Sequence, residues 1–296
     1  MESLTVNTSS ATAIYTSITR PEEQRNKPLV FFIHYWGGSS STWHKLTSPY
    51  SSDSISTTYP TVAVDLRGWG KSTGPVADNG SAYSISALAS DIRSVLEQLQ
   101  ADEKNEDLFK NGLVFVGHSM GAKVALATLS LLPAELLNKV KGLVLAAPAP
   151  PTALNLPSEM KDQQLSAYKT RESVLWTVRN VLANTDKLSE PDVKLVVENS
   201  LCGNQFAKSS WPTYGMGEDI SIGLRKTLKI LKDVGLLASI IVGELDVVEP
   251  EERVKAEVGQ FLIESGLGVA IKSAKDVKHL IPLEDPLSIA QEIRRF

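Results

Sequence analysis

The sequence predicts an α/β fold, a mostly parallel central sheet with helices on both faces and one inserted helical lid. Three observations carry this. Strand-length apolar runs recur at Leu29–Ile33, Thr61–Asp65, Leu113–Val116, Leu143–Ala147 and Ser239–Val242; runs that are apolar at every position belong to strands covered on both faces. Amphipathic helical stretches alternate with them, as parallel strands require crossover helices. Between about residues 150 and 226 the rhythm lapses into helical pieces with no strand. The expected division is therefore a core of residues 1–149 and 227–296, with 150–226 as the lid.

Taken in order, residues 3–19 alternate loosely and are rich in Thr, Val, Ile and Tyr, which predicts edge strands or a hairpin. A charged turn from Arg20 to Pro28 leads into Leu29–Ile33. Ser39–Thr42 then offers an N-cap ahead of a short helix at Trp43–Leu46. Residues 84–99 place Ile85, Leu88, Ile92, Val95, Leu96 and Leu99 on one helical face, with Asp91, Arg93 and Glu97 expected outward. The insertion carries helical patterns at Leu165–Leu182 and Asp192–Leu201 and a turn-rich stretch at Ser209–Gly217. After Ser239–Val242 come a helix from Glu251 to Glu264, a short strand at Val269–Ile271 and a last amphipathic helix from Pro286.

Composition narrows the function classes. The 296 residues suffice for a sizeable core; 42% are hydrophobic and 22% charged, ordinary for a globular chain. Thirty Lys plus Arg against 34 Asp plus Glu give a net charge of -4 with no long basic run, which argues against nucleic acid as a partner. The single cysteine, Cys202, can form no internal disulfide and has no second thiol for a metal cluster. The start Met1-Glu-Ser-Leu-Thr-Val has no secretory pattern, and no uncharged apolar run is long enough to insert into a membrane. The expectation is a cytoplasmic protein acting on a small molecule, with no metal or cofactor; oligomeric state is left open.

The chemistry concentrates at Gly117-His-Ser-Met-Gly121, between an apolar strand and the small-residue helical stretch Ala122–Leu129. Strand, Gly-x-Ser-x-Gly and helix together form the context of a nucleophile elbow. The serine occupies a turn so sharp that its backbone is strained, and a Cβ two residues to either side would strike the neighbouring strand or helix. A serine nucleophile needs a base and an acid to orient that base. Of four histidines, His118 lies inside the elbow, His34 closes a strand and braces the next loop, and His44 lies in an early helix. His279, in a loop after the last expected strand, remains as the base. For the acid, Val242-Gly-Glu-Leu-Asp-Val-Val-Glu-Pro250 follows a strand; Asp246 sits mid-loop, with Glu244 and Glu249 as competitors. The stretch after Leu143–Ala147 holds only Ala and Pro, which favours Asp246.

These residues resemble the α/β-hydrolase fold superfamily, its serine esterase and lipase branch, across nearly all of the chain outside the lid. The resemblance rests on Gly117–Gly121, Asp65-Leu-Arg-Gly-Trp-Gly-Lys-Ser72, Gly243–Asp246 with Pro250, and Lys278-His279 with Pro282. It implies that Ser119 attacks an acyl carbon, His279 serves as general base and then acid, and Asp246 orients the imidazole. It implies an oxyanion hole from the backbone N–H groups of Met120 and Trp36, each such donor typically worth about 3–4 kcal/mol. It also makes Asp65 and Arg67 structural braces. One departure stands out: the family has His-Gly where this chain has His34-Tyr35, so Tyr35 is expected to adopt an awkward backbone conformation or displace its loop, its phenol directed into the pocket.

The expected activity is hydrolysis of a small to medium apolar ester, thioester or lactone through an acyl-enzyme. Serine at 119 argues against epoxide hydrolases and haloalkane dehalogenases, which carry Asp there. Carbon–carbon bond hydrolases and cofactor-free haloperoxidases use the same triad, and a non-catalytic ligand receptor is the alternative of another class. Tyr35 and Trp36, with the lid residues Trp176, Trp211 and Tyr214, are the candidate pocket; the lid aromatics serve equally well as lid core.

Overall fold

The computed structural model describes residues 2–22, 26–232 and 235–296. Residues 23–25 of the expected charged turn lie outside them. β1 (Glu2–Ser9) and β2 (Thr12–Thr19) form an antiparallel hairpin. β3 (Leu29–Ile33), α1 (His44–Thr47), β4 (Thr61–Val64), α2 (Ile85–Ala101), β5 (Leu113–His118), α3 (Met120–Leu129), α4 (Ala134–Leu137) and β6 (Val140–Ala146) follow. A helical segment then runs through α5 (Ser158–Ala167), α6 (Arg171–Thr177), α7 (Glu190–Cys202), α8 (Gln205–Ser210) and α9 (Ser221–Leu231). β7 (Leu237–Gly243), α10 (Glu251–Arg253), α11 (Gln260–Glu264), β8 (Gly268–Ala274), α12 (Ile281–Glu284) and α13 (Pro286–Ile293) complete the chain.

The eight strands form one sheet in the order β1-β2-β4-β3-β5-β6-β7-β8, parallel from β4 to β8 and antiparallel only around β2. Successive residues of β3 explain its apolar run: Leu29, Phe31 and Ile33 enter one core cluster, Val30 and Phe32 the other. The larger cluster packs α2, α3 and α9 against the sheet; the smaller holds Trp43, Tyr59 and the α13 residues Ile289, Ala290 and Ile293. The order reverses at β3, flanked by β4 on one side and β5 on the other. That switch point opens a crevice at the strands' carboxyl ends, where ligands bind in open α/β sheets.

The structure corrects some element expectations. Asp91, expected outward on α2, is buried because Arg67 reaches it through Nε (2.5 Å) and Nη2 (2.7 Å) while Thr8 donates its hydroxyl at 2.5 Å. The helix expected over Leu165–Leu182 breaks at Tyr168, and α6 restarts with Thr170 and Ser173 in a reciprocal cap. The turn-rich Ser209–Gly217 stretch instead continues α8 through a wide helical turn at Trp211–Gly215.

Both ends of the helical segment are clasped beneath the site. Lys123, fully buried on α3, donates Nζ to the carbonyls of Thr152 (3.0 Å) and Met216 (3.2 Å). Leu154 N–H also reaches Met216 O at 2.9 Å, and Ile220 N–H reaches Pro151 O at 2.9 Å. Burial lowers the Lys123 ammonium pKa to about 8. The expected core boundary at residue 227 falls within α9, which packs on α3.

Candidate active site

Ser119 follows β5 and caps α3 with φ 54° and ψ -118°, a conformation that non-glycine residues avoid. Surrounding contacts hold it there: Ser119 N–H donates to Ala146 O at 2.9 Å, and its carbonyl accepts from Ala122 N–H at 3.0 Å and Ala149 N–H at 3.3 Å. The two elbow glycines allow the approach. A Cβ on Gly117 would sit 2.5 Å from Ala122 Cα, and one on Gly121 would sit 2.3 Å from Ile33 O. The first turn of α3 therefore rests directly on the end of β3, and its positive N-terminal pole lies beside the serine.

Asp246 lies in the loop after β7, only 5% exposed. Its Oδ1 accepts the N–H groups of Val248 (2.8 Å) and Glu249 (3.1 Å), while Oδ2 accepts Nδ1–H of His279 at 2.8 Å. Gly243 brings the two loops together, since a Cβ there would lie 2.1 Å from Lys278 O. Burial opposes ionisation of Asp246, but the His279 charge and the three hydrogen bonds outweigh it and hold the carboxyl below the usual carboxylate range. His279 is 2% exposed; burial alone would depress it, yet Asp246, then Glu249 and Glu284, raise it above an ordinary imidazole.

The elbow and the histidine loop meet through His118, whose Nε2–H donates to His279 O at 2.8 Å with the two rings 5.0 Å apart. Burial, then the neighbouring His279, keeps His118 neutral, well below the usual range. Among the described residues no hydrogen bond joins Ser119 Oγ to His279, and such contacts commonly tighten only when substrate binds. Glu284 fixes the backbone on both sides of the imidazole: its carboxylate accepts N–H groups from Lys278 (3.0 Å), Leu280 (2.9 Å) and Asn184 (2.9 Å). His279 and Leu280 N–H both donate to Leu182 O, at 3.0 and 3.1 Å.

The loop after β3 approaches from the other side. His34 is its brace: Nε2 accepts Leu66 N–H at 2.9 Å and Nδ1–H donates to Tyr35 O at 2.7 Å, which fixes a neutral tautomer. Burial lowers His34 to about 4. Tyr35 departs from expectation. It needs no left-handed backbone, and its ring is 2% exposed, packed 4.9 Å from that of His118 instead of facing the pocket. Its hydroxyl has no hydrogen-bond partner, and burial pushes the phenol above the tyrosine range. Trp36 is gripped by the helical segment: its indole N–H donates to Lys208 O (3.1 Å), its carbonyl accepts the Tyr168 hydroxyl (3.0 Å), and its ring lies 4.2 Å from that of Tyr168. Gly37 O accepts the Ser200 hydroxyl at 3.0 Å. Among the described residues, the backbone N–H groups of Trp36 and Met120 donate to no protein acceptor.

Other expected site residues lie elsewhere. Trp176 is 59% exposed on α6, Trp211 is packed inside the helical segment, and the Tyr214 hydroxyl donates to Asp78 (2.7 Å) and accepts Tyr83 N–H (3.0 Å). Asp65 accepts Ser40 N–H (2.6 Å) and Lys71 N–H (2.7 Å), a turn brace. Glu244 binds Asp276 N–H at 3.0 Å. Glu249, buried beside Asp246 and paired with Arg253 at 2.7 Å, is raised by burial to about 7. Sequence reasoning passed over Glu284, Tyr168 and Lys123, for each acts on backbone groups distant in sequence and belongs to no motif. Among the described residues no cluster of metal-ligating side chains occurs, and no helix is long and apolar enough to cross a membrane.

A family model described as the alpha/beta hydrolase family matches residues 30–292. The chain belongs to that family. Among curated proteins it resembles the probable lysophospholipase BODYGUARD 1 of Arabidopsis thaliana, 32% identical over 47% of this chain and 27% of that protein. The match thus spans about a quarter of that relative's length. Among solved structures it superposes on an esterase from Thermogutta terrifontis (TM-score 0.68, 18% identity, 100% of this chain and 97% of the other). A bromoperoxidase from Bacillus anthracis fits similarly (TM-score 0.71, 19% identity, 98% and 100%). At these identities the superpositions establish the hydrolase fold.

Proposed function

We propose that this alpha/beta hydrolase cleaves an ester, thioester or lactone through an acyl-enzyme on Ser119. The observation that carries the reading is the buried Asp246–His279 pair at 2.8 Å, bonded through His118 to the strained turn that presents Ser119. With Asp246 accepting the proton on Nδ1, the free Nε2 of His279 is the basic nitrogen. It takes the Ser119 Oγ proton as Oγ attacks the acyl carbon. The unengaged N–H groups of Met120 and Trp36 receive the developing oxyanion. Collapse then expels the alcohol or thiol, which takes the proton from His279. Water, activated by the same nitrogen, releases the acid and regenerates Ser119. Residues 150–226 serve as a lid over this crevice. A relative named as a probable lysophospholipase and an esterase among the structural neighbours agree with acyl chemistry.

Labelling with a fluorophosphonate probe, alongside turnover of p-nitrophenyl butyrate, tests the reading. Wild type should label at Ser119 and turn over; Ser119→Ala should do neither. A folded wild-type protein that neither labels nor hydrolyses would leave a ligand receptor as the better reading.

A further inference from the structure

The loop that carries Asp246 is gripped from outside by one guanidinium. Arg253, the last residue of α10, donates from Nη2 to the carbonyl of Val248 and to Glu249 Oε2, the latter at 2.7 Å. The Val248 carbonyl belongs to the same peptide unit as the Glu249 N–H, which donates to Asp246 Oδ1 at 3.1 Å. A trans peptide is planar, with its C=O and N–H pointing in opposite directions, so fixing one end aims the other. Val248 N–H adds a second bond to Oδ1 at 2.8 Å, and Oδ2 is left facing His279 Nδ1, also at 2.8 Å. Arg253 is bonded to neither Asp246 nor His279; it acts through the loop between them.

Packing does not account for this arrangement. No residue of α10 is buried, so Arg253 anchors no apolar element. Its Nε–H is buried without an acceptor, which shows that the Nη2 contacts set where the guanidinium lies. Glu249 is 2% exposed, a depth at which carboxylates are seldom kept unless paired. The charged groups around it are Arg253 on α10, His279 after β8, Asp246 in its own loop, and Lys123 on α3, whose ammonium feels the Glu249 charge. Burial outweighs Arg253 and His279 and sets the Glu249 carboxyl at about 7. Its charge for Arg253 is therefore complete only above neutrality.

We infer that Arg253 is a positioning residue for the acid of the proposed triad, orienting Asp246 toward His279 through the Val248–Glu249 peptide and the Glu249 carboxylate. The inference rests on the ester-hydrolase reading above. When Glu249 takes up a proton the ion pair is lost, and Arg253 retains only the Val248 carbonyl.

The test compares wild type with Arg253→Met and Arg253→Lys. Met keeps the stem and removes the donors; Glu249 then takes up a proton instead of remaining a buried, unpaired charge, so the fold survives. At pH 8.5, Arg253→Met should lower kcat for p-nitrophenyl butyrate about tenfold with KM within about twofold. Arg253→Lys, which keeps a charge and a donor, should recover part of the loss. At pH 6 Glu249 is neutral in both proteins, and the ratio of wild type to Arg253→Met should shrink to about threefold. The Nδ1–H proton resonance of His279, recorded in Ser119→Ala, reports the Asp246 bond without turnover and should broaden when Arg253→Met is added. An unchanged resonance overturns the inference whatever happens to Tm or kcat. So does a kcat loss equal at the two pH values, or an active Arg253→Met enzyme with wild-type kcat at pH 8.5. If no protein hydrolyses the ester but the resonance broadens, Arg253 keeps its positioning role and the hydrolase reading falls.

Discussion

Replacing Asp246 with Asn changes one atom in a site where every lone pair facing a donor is accounted for. Oδ1 of Asp246 holds the N–H groups of Val248 and Glu249, so the Asn carbonyl must stay there or two buried donors lose their acceptor. The amide NH2 then faces His279 Nδ1, 2.8 Å away in the wild type. Two donors cannot share that contact. The imidazole must turn Nδ1 into an acceptor and carry its proton on Nε2, where the proton of Ser119 has to arrive. On the proposed mechanism the base is then present but in the wrong tautomer, and the expected loss in kcat is about 10⁴-fold, near 5 kcal/mol. Stopped-flow or steady-state turnover of p-nitrophenyl butyrate at pH 7.5 measures it, with circular dichroism confirming the fold and the fluorophosphonate labelling rate falling in parallel. Turnover within tenfold of wild type would refute the reasoning and transfer the orienting role to another carboxylate.

Three further outcomes are expected. Because Asp246 raises His279 above an ordinary imidazole and the base must be neutral, kcat/KM should fall as pH drops through an inflection above 6.5; an inflection at or below 6.5 contradicts this. Glu249 rises from 4.5 to about 7, so the native state holds a proton the unfolded chain has lost, and stability declines as pH climbs through that window. Glu249→Gln should therefore favour the folded state more at pH 8 than at pH 4.5, by at most about 3 kcal/mol; calorimetry at the two pH values checks the sign. Tyr168→Phe keeps the ring against Trp36 and Trp69 but removes the hydroxyl on Trp36 O, and should lower kcat about fivefold with little change in KM.

The sheet was legible because it is covered twice. Leu29–Ile33 and Leu113–Val116 read as strands since every residue is buried on one face or the other. β8 was read short, as Val269–Ile271, because it is an edge strand whose Lys272 and Ser273 face solvent and hide its length. Asp91 was read as outward because a carboxylate amid apolar residues signals solvent, and its partner Arg67 lies 24 residues away. The sequence favours Asp246 over Glu244 and Glu249 by its place in mid-loop; what it does not display is the hold of the loop's own Val248 and Glu249 N–H groups on Oδ1, which leaves Oδ2 facing His279. Gly at position 35 in the family points to an awkward backbone or a displaced loop for Tyr35; of the two, the awkward backbone is absent, because the space beside His118 accepts the ring and the chain needs no unusual φ.

Leu182 and Tyr168 give the inserted helices a second importance. One supplies the carbonyl under His279 and Leu280, the other grips Trp36. A shortened chain that joined residue 149 directly to residue 227 could retain its sheet, yet it would lose the anchors of His279 and of Trp36, the proposed oxyanion donor, together. Transplanting a relative's cap to alter substrate range would meet the same obstacle: the graft must reproduce two points of attachment as well as a new binding wall.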